Sequence, residues 1–117
     1  LSRKLKEYYK HKCQLCGYQL RSSSEKGFKS EVHHIKPYNK FHRGDDTTEN
    51  MIVLCPNCHS QFDEFYYAIN PDTEYIYCIY EDDQFHLKKL YILDGHAFGK
   101  EYLEYTWELF LEKKSKL

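Results

Sequence analysis

Two pairs of cysteines constrain this sequence more than any other feature. Cys13 and Cys16 flank Gln-Leu, and Cys55 and Cys58 flank Pro-Asn, so each pair has the CxxC spacing. Two intervening residues let a tight turn present both sulfurs to one ion, and four thiolates satisfy tetrahedral Zn²⁺. Because the pairs lie far apart along the chain, the second pair must return to the first across intervening structure. We therefore predict one structural Zn²⁺ that stabilises a small core.

Disulfides or unrelated thiols are the alternatives to zinc. The sequence shows no charged-then-apolar leader and no apolar run long enough to cross a membrane, so nothing marks it as secreted or membrane-bound. Thiolates kept reduced for zinc fit a cytoplasmic location. Cys78 has no partner in this pattern and lies in an apolar stretch, so we expect a buried, inert thiol there.

The charge distribution is uneven although the net charge is only −1. The first 40 residues hold ten Lys or Arg against three Glu, and the remainder is acidic. A basic first third is compatible with a face that binds a polyanion, and equally with a solvated basic helix. The length of 117 residues predicts a single domain over 1–117, and a first residue of Leu suggests a piece of a longer protein.

Hydrophobic periodicity and turn residues predict an α+β domain. Polar loops are expected at 21–27 and 38–49, and Pro56 suits a first helical turn. The predicted elements are a basic helix at 1–10, strands at 29–35 and 51–54, a helix from Pro56 to Tyr66, a hairpin at 67–80 with its turn at Asn70-Pro71-Asp72, a strand at 84–93 and an amphipathic helix at 100–114.

A second group of polar residues lies between and just after the cysteine pairs. His59 and Asp63 are four apart on the predicted helix, so their side chains share a face and can converge on one ion. His33 and His34 are neighbours on a strand, so one can ligate an ion while the other faces a water. Asp63 is the weakest member, because a carboxylate in an early helical turn also interacts favourably with the helix dipole.

Together with Asn50, these residues resemble the HNH endonuclease family, in the form whose CxxC knuckles brace a ββα-metal motif. The resemblance covers about 13–66 and rests on EVHHIKP at 31–37, ENMIVLCPNCH at 49–59, and Phe62-Asp63. It implies a small zinc-braced ββα-metal domain, to which 67–117 would add a β-hairpin and a C-terminal helix. The chain looks like the branch found in bacterial restriction enzymes, where a nuclease module is often fused to a DNA-reading domain.

The resemblance also implies a role for each residue of the second group. His33, His59 and Asp63 would hold one catalytic divalent ion, and His34 would be the general base. Asn50 would hold the loop of the motif and orient that base. The implied activity is hydrolysis of DNA phosphodiester bonds to 5′-phosphate and 3′-hydroxyl ends. Mixed nitrogen and oxygen ligands leave Mg²⁺, Mn²⁺, Ni²⁺ and Zn²⁺ open as the ion.

Basic residues just after the histidine pair are the predicted phosphate contacts, with double-stranded DNA as the expected partner. So few contacts predict weak, salt-sensitive binding and dependence on a fused or separate DNA-reading domain. A non-catalytic zinc ribbon that binds nucleic acid or protein is the alternative function, and a degenerate HNH fold kept for binding is another. The sequence leaves open the target and the choice between DNA and RNA. The predicted contacts are Lys36, Lys40, His42 and Arg43.

Overall fold

The computed structural model describes residues 1–24 and 26–117, so the predicted polar loop at 21–27 includes one residue, Glu25, that lies outside the described part. Helices and short antiparallel strands alternate along the chain, which confirms the predicted α+β class. In order, the elements are α1 (Ser2–Tyr8), β1 (Leu20–Arg21), β2 (Phe28–Lys29), β3 (Glu31–His34), a 3₁₀ turn (Thr48–Asn50), β4 (Met51–Leu54), α2 (Pro56–Asp63), β5 (Tyr67–Ile69), β6 (Ile76–Cys78) and α3 (Lys100–Ser115).

Strand β4 lies at the centre of the domain. Its four residues are fully buried, and they alternate between two apolar clusters. Ile52 and Leu54 face the main core beneath α2 and α3, whereas Met51 and Val53 pack against α1. A strand covered on both faces reads as a continuous apolar run, which is why MIVL is predicted so well from the sequence. β4 pairs antiparallel with β3, and His33 lies opposite Ile52.

The hairpin β5–β6 forms as predicted, but the predicted strand at 84–93 is wrong. Within the described residues that segment contributes a single bridge, between Tyr75 and Lys89. Asp83 bends the chain before it, because its carboxylate accepts hydrogen bonds from Phe85 N and from the hydroxyls of two tyrosines. Leu87 then adopts a φ of 67°, which extended backbone does not allow.

Helix α2 ends three residues earlier than predicted. Phe65 takes a φ of 57°, and Tyr66 N donates to Gln61 O at 3.0 Å, so the chain turns out of the helix through a left-handed residue. Such ends usually carry glycine, and this one does not, so the sequence contains no local signal for it. Asp63 is consequently the last residue of α2.

The connection between β3 and β4 is a loop held closed by its own backbone. Ile35 N donates to Asn50 O at 2.9 Å, and Gly44 N donates to Pro37 O at 2.8 Å. A Cβ on Gly44 would lie 1.8 Å from Lys36 O, so only glycine fits this crossing. The loop therefore has one defined path from the end of β3 to the start of β4.

Helix α3 packs across β5 and reaches the same loop. Leu103, Thr106 and Phe110 are its buried side chains. On its outer side, Tyr102 donates a hydrogen bond to Asp45 Oδ2 at 2.7 Å, and Tyr105 Oη lies 2.7 Å from His42 Nδ1. The predicted closing helix thus braces the loop that follows the histidine pair. No helix in the described residues is long and apolar enough to cross a membrane.

Candidate metal centres

The four cysteines of the CxxC pairs converge, although 39 positions of sequence separate Cys16 from Cys55. Their sulfur atoms all lie within 4.8 Å of one another. Backbone N–H groups point at these sulfurs: Cys16 N donates to Cys13 Sγ and Tyr18 N to Cys16 Sγ, both at 3.4 Å. Cys55 is the N-cap residue of α2, and Cys58 lies in the first turn of the helix. This donor set fits a tetrahedral Zn²⁺.

Electrostatics also indicates that this cluster is built for a cation. A hydrogen bond from the Cys58 thiol lowers the pKa of Cys13 to about 5. The same contact raises the pKa of Cys58, and burial raises the pKa of Cys16 to about 11. Without an ion, the cluster therefore stabilises one thiolate at the expense of its neighbours. A divalent cation removes that conflict, because it lets all four sulfurs be deprotonated together.

A second cluster joins the end of β3 to the last turns of α2. One donor atom each from His33, His59 and Asp63 lies within 4.8 Å of the other two. Asp63 Oδ1 lies 3.1 Å from His33 Nδ1 and 3.5 Å from His59 Nε2. The structure thus brings together the three residues predicted to hold the catalytic ion, and their nitrogen and oxygen donors fit a divalent cation.

A favourable interaction with the helix dipole does not explain why an aspartate occupies position 63. It lies at the carboxyl end of α2, where a negative charge opposes the helix dipole. Its side chain is 59% exposed, and a hydrogen bond from His33 lowers its pKa. Burial lowers the pKa of His33, which favours the neutral imidazole that a metal requires.

Glu31 is a residue of this cluster that the sequence analysis missed. Its Oε1 lies 2.7 Å from His59 Nδ1, the ring nitrogen that points away from Asp63. A carboxylate on the far nitrogen fixes the tautomer and the orientation of a metal-ligating imidazole. Glu31 lies two residues before His33 and therefore on the same face of β3, so strand periodicity was the signal that pointed to it.

His34 lies on the opposite face of β3 from His33, at the end of the strand. Its Nε2 lies 2.9 Å from Asp46 Oδ1, and its ring packs on the ring of Tyr38 with centroids 5.2 Å apart. His34 and the second cluster nevertheless open onto one cavity of about 280 Å³. We call this cavity the cleft; its lining residues are Val32, His33, His34, Pro37, Tyr38, His59 and Asp63.

Asn50 is fully buried and closes the loop that carries Asp46. Its amide nitrogen donates to Lys36 O at 2.9 Å and to Asp45 O at 2.8 Å, and its side-chain oxygen accepts from Lys36 N at 2.8 Å. Within the described residues, the hydrogen-bond partner of His34 is Asp46 and not Asn50. Asn50 therefore holds the loop, and the carboxylate in contact with His34 is that of Asp46.

The predicted phosphate contacts differ in their surroundings. Lys40 and Arg43 are exposed on the loop after His34. Lys36 is half-buried, with its ammonium 4.5 Å from the centroid of the Tyr105 ring. His42 is also half-buried against Tyr105, so its first function is to hold the loop to α3.

Part of the chain is similar in sequence to known nucleases. Residues 13–63 match the family described as HNH endonuclease. The type IV methyl-directed restriction enzyme EcoKMcrA of Escherichia coli strain K12 is 48% identical over 40 residues. That similarity spans 34% of this chain and 13% of the relative.

A solved structure extends the likeness beyond the motif. The modification dependent TagI restriction endonuclease superposes with a TM-score of 0.79 at 27% identity. The superposition includes 92% of this chain and 36% of the TagI chain. The chain therefore corresponds to a minor part of each of these two relatives.

Proposed function

Because residues 13–63 of this chain match the HNH endonuclease family, we propose that it is a metal-dependent endonuclease module that hydrolyses DNA phosphodiester bonds. The observation that carries this proposal is the shared cleft. A histidine paired with a carboxylate and a three-residue metal-ligating cluster open onto the same cavity. A base and a cation on opposite sides of one phosphate are what phosphodiester hydrolysis requires.

His34 is the proposed general base. When its Nε2–H donates to the Asp46 carboxylate, Nδ1 carries the lone pair and can accept a proton from a water molecule. The oxygen of that water then attacks phosphorus as the bond to the 3′ oxygen breaks. Tyr38 limits rotation of the imidazole by packing on its face. Asp46 and Tyr38 are positioning residues, since they act through His34.

His33, His59 and Asp63 are the proposed ligands of the catalytic ion. A divalent cation bound there neutralises charge on the phosphate and on the leaving 3′ oxygen. Glu31 holds the His59 ring so that Nε2 faces the other two donors. The four cysteines would bind a separate structural Zn²⁺ that fixes the first turn of α2, where Cys58 immediately precedes His59.

Substrate binding is proposed to use Lys36, Lys40, Arg43 and His42, the last through its Nε2 because Nδ1 faces Tyr105. Few cations imply weak binding, so recognition would come from a DNA-reading region outside this chain. Both relatives have names that tie cutting to modified DNA. We extend that class to this chain: a restriction-type nuclease that acts on double-stranded DNA in the cytoplasm of a bacterial or phage-infected cell.

The experiment is a plasmid-cleavage assay with Mg²⁺, Mn²⁺, Ni²⁺ or Zn²⁺ and the variant His34→Ala. We expect the parent to convert supercoiled plasmid to nicked or linear forms with at least one ion. Loss of a positioned base should slow cleavage by about 10²- to 10⁴-fold. His86→Ala, a histidine in the segment after β6, is the matched control and should cleave at the parental rate.

Two outcomes would contradict the proposal. Equal rates for the parent and His34→Ala would remove His34 as the base. Absence of cleavage with every ion, in protein that is folded and contains zinc, would favour the alternative of a non-catalytic zinc module that binds nucleic acid or protein.

A further inference from the structure

A pair of exposed aromatic side chains lies on the loop beside the cleft, and the proposed mechanism does not use the outer one. Tyr38 is 62% exposed and packs on His34, and Phe41, three residues later, is 85% exposed. A single exposed apolar residue on a protein surface is ordinary. Phe41 is unusual because of the loop that carries it and the charges that surround it.

Hydrogen bonds fix the backbone of the loop at Phe41, whose side chain is exposed. Asn39 Oδ1 accepts hydrogen bonds from Phe41 N at 3.0 Å and from His42 N at 2.7 Å, and Arg43 N donates to Asn39 O at 2.8 Å. The His42 ring lies edge-on to the Phe41 ring, with centroids 4.8 Å apart, and is itself held by Tyr105 of α3. An outward Phe on an ordered turn loses little conformational entropy when it binds a partner.

The charges around Phe41 match a polyanion. Lys40 and Arg43 are exposed on either side of it. Two acidic residues of the same loop have partners of their own: Asp45 accepts a hydrogen bond from Tyr102, and Asp46 lies against His34. The third, Glu49, is exposed in the 3₁₀ turn just before β4, eight residues beyond Phe41. The outer surface of the loop therefore presents an aromatic ring between two cations, the combination that binds stacked bases and their phosphates.

The distance from the cleft also fits DNA. Three residues of chain span at most about 11 Å, so Phe41 lies within about that distance of Tyr38, which lines the cleft. Successive bases of one strand are about 3.4 Å apart. If the scissile phosphate of a duplex lies in the cleft, Phe41 is therefore close to a base step that is at most about three base pairs from that phosphate.

We propose that Phe41 is a wedge that stacks on or inserts between bases of the DNA, close to the phosphate held in the cleft. This inference rests on the proposed function, because it takes the occupant of the cleft to be DNA. Phe41 disturbs base stacking next to the cleavage position, and Lys40 and Arg43 hold the flanking phosphates. Apolar side chains that enter a base step kink the duplex, which would widen access to the backbone at the cleft.

The first test uses Phe41→Trp in the His34→Ala protein, so that DNA binds without being cut. Indole emission should be quenched when a short DNA duplex is added and unchanged when heparin, a polyanion without bases, is added. The parent His34→Ala protein reports on Trp107, which is half-buried and stacks on Phe110 of α3, and should respond to neither. Fluorescence anisotropy of a labelled duplex checks that the DNA binds. If the duplex binds but leaves the emission of Phe41→Trp unchanged, as heparin should, the inference is overturned.

The second test measures duplex affinity in the same background. Phe41→Ala should weaken binding about tenfold, the effect of losing one base–aromatic stack, and Phe41→Tyr should restore it. Tyr80→Ala, another exposed aromatic that lies outside the seven cleft-lining residues, is the matched control and should bind as the parent does. Equal affinities for Phe41→Ala and Tyr80→Ala would contradict the wedge and favour a protein surface as the partner of Phe41.

Cleavage by protein with His34 intact separates the two proposals. If the parent and Phe41→Ala cut plasmid at equal rates, with DNA below saturation, the wedge is contradicted and the nuclease proposal is unaffected. If DNA quenches the emission of Phe41→Trp but the parent cuts no plasmid, the nuclease proposal is contradicted and Phe41 remains a DNA contact. Absence of duplex binding at low salt would overturn both.

Discussion

The two metal-ligating clusters share helix α2 but differ in nearly every physical property. The cysteine cluster has four sulfur donors, and three of its residues are buried. The histidine–aspartate cluster has three nitrogen and oxygen donors, one of them on an exposed side chain, and it opens onto the cleft. A filled tetrahedron is typical of structural zinc, and a three-ligand set with open positions is typical of catalysis. Adjacent residues, Cys58 and His59, thus belong to clusters with different donor chemistry and different exposure.

Under the proposed function, the cysteine cluster supplies stability to this small domain, and the exposed cluster supplies the catalytic ion. The cysteine cluster ties the start of α2 to the Cys13–Cys16 turn, so the helix position does not depend on the ligands of the cleft. His59 and Asp63 can then face solvent without contributing to folding. We therefore expect that each cluster can be disrupted without the other.

The largest expected effect is the loss of the fold in Cys58→Ser. Structural zinc contributes about 10–16 kcal/mol of binding free energy, comparable to the whole stability of a domain, about 5–15 kcal/mol. We expect unfolded protein without zinc, measured by circular dichroism and zinc content. Cys78→Ala, at a buried thiol outside the cluster, is the control and should cost about 1 kcal/mol while keeping zinc. A folded Cys58→Ser with parental melting would refute the structural role.

Asp63→Asn should have the next largest effect, confined to the cleft. The change removes the charged ligand of the ion. Loss of a residue that only orients a ligand typically costs about 10- to 100-fold, so the cleavage rate of Asp63→Asn should fall further than that. The melting temperature should stay the same or rise slightly, since a carboxylate at the end of α2 opposes the helix dipole. Zinc content should be unchanged. A destabilised but active Asp63→Asn would show that the residue is structural.

Glu31→Gln should weaken the catalytic ion without removing a ligand. The amide cannot orient the His59 ring as the carboxylate does, and outer-shell losses of this kind typically cost about 10- to 100-fold in metal affinity or activity. The measurement is cleavage rate against Mn²⁺ concentration. The expected curve shifts to higher Mn²⁺, and excess ion recovers much of the rate. A rate that falls without any shift would show that Glu31 acts in another way.

Lys40→Ala should have the smallest effect and should leave both clusters intact. Loss of one phosphate contact reduces the slope of log affinity against log salt by about 0.9. Duplex affinity is measured over a salt series, with Lys116→Ala at the end of α3 as the control. Equal slopes for the two variants would remove Lys40 from the DNA surface.

Local spacing explains why much of the site was predictable. The CxxC turns, the neighbouring histidines and the His59–Asp63 pair are each set by the geometry of a few consecutive residues. The continuous apolar run of β4 likewise indicated a strand buried on both faces. The end of α2 was missed because Phe65 takes a left-handed conformation without glycine, and the strand at 84–93 was wrongly predicted because the Asp83 carboxylate turns the chain.

Contacts between residues that are distant in sequence could not be predicted from local spacing. Asp46 reaches His34 only because Asn50 and Gly44 close the loop between β3 and β4 on one path. The contacts of α3 with that loop depend on how the helix packs over β5. The kinds of ligand and the spacing within each motif are written in short stretches of chain. Which carboxylate orients which histidine depends on packing between distant segments, because no short-range rule specifies the path of a loop.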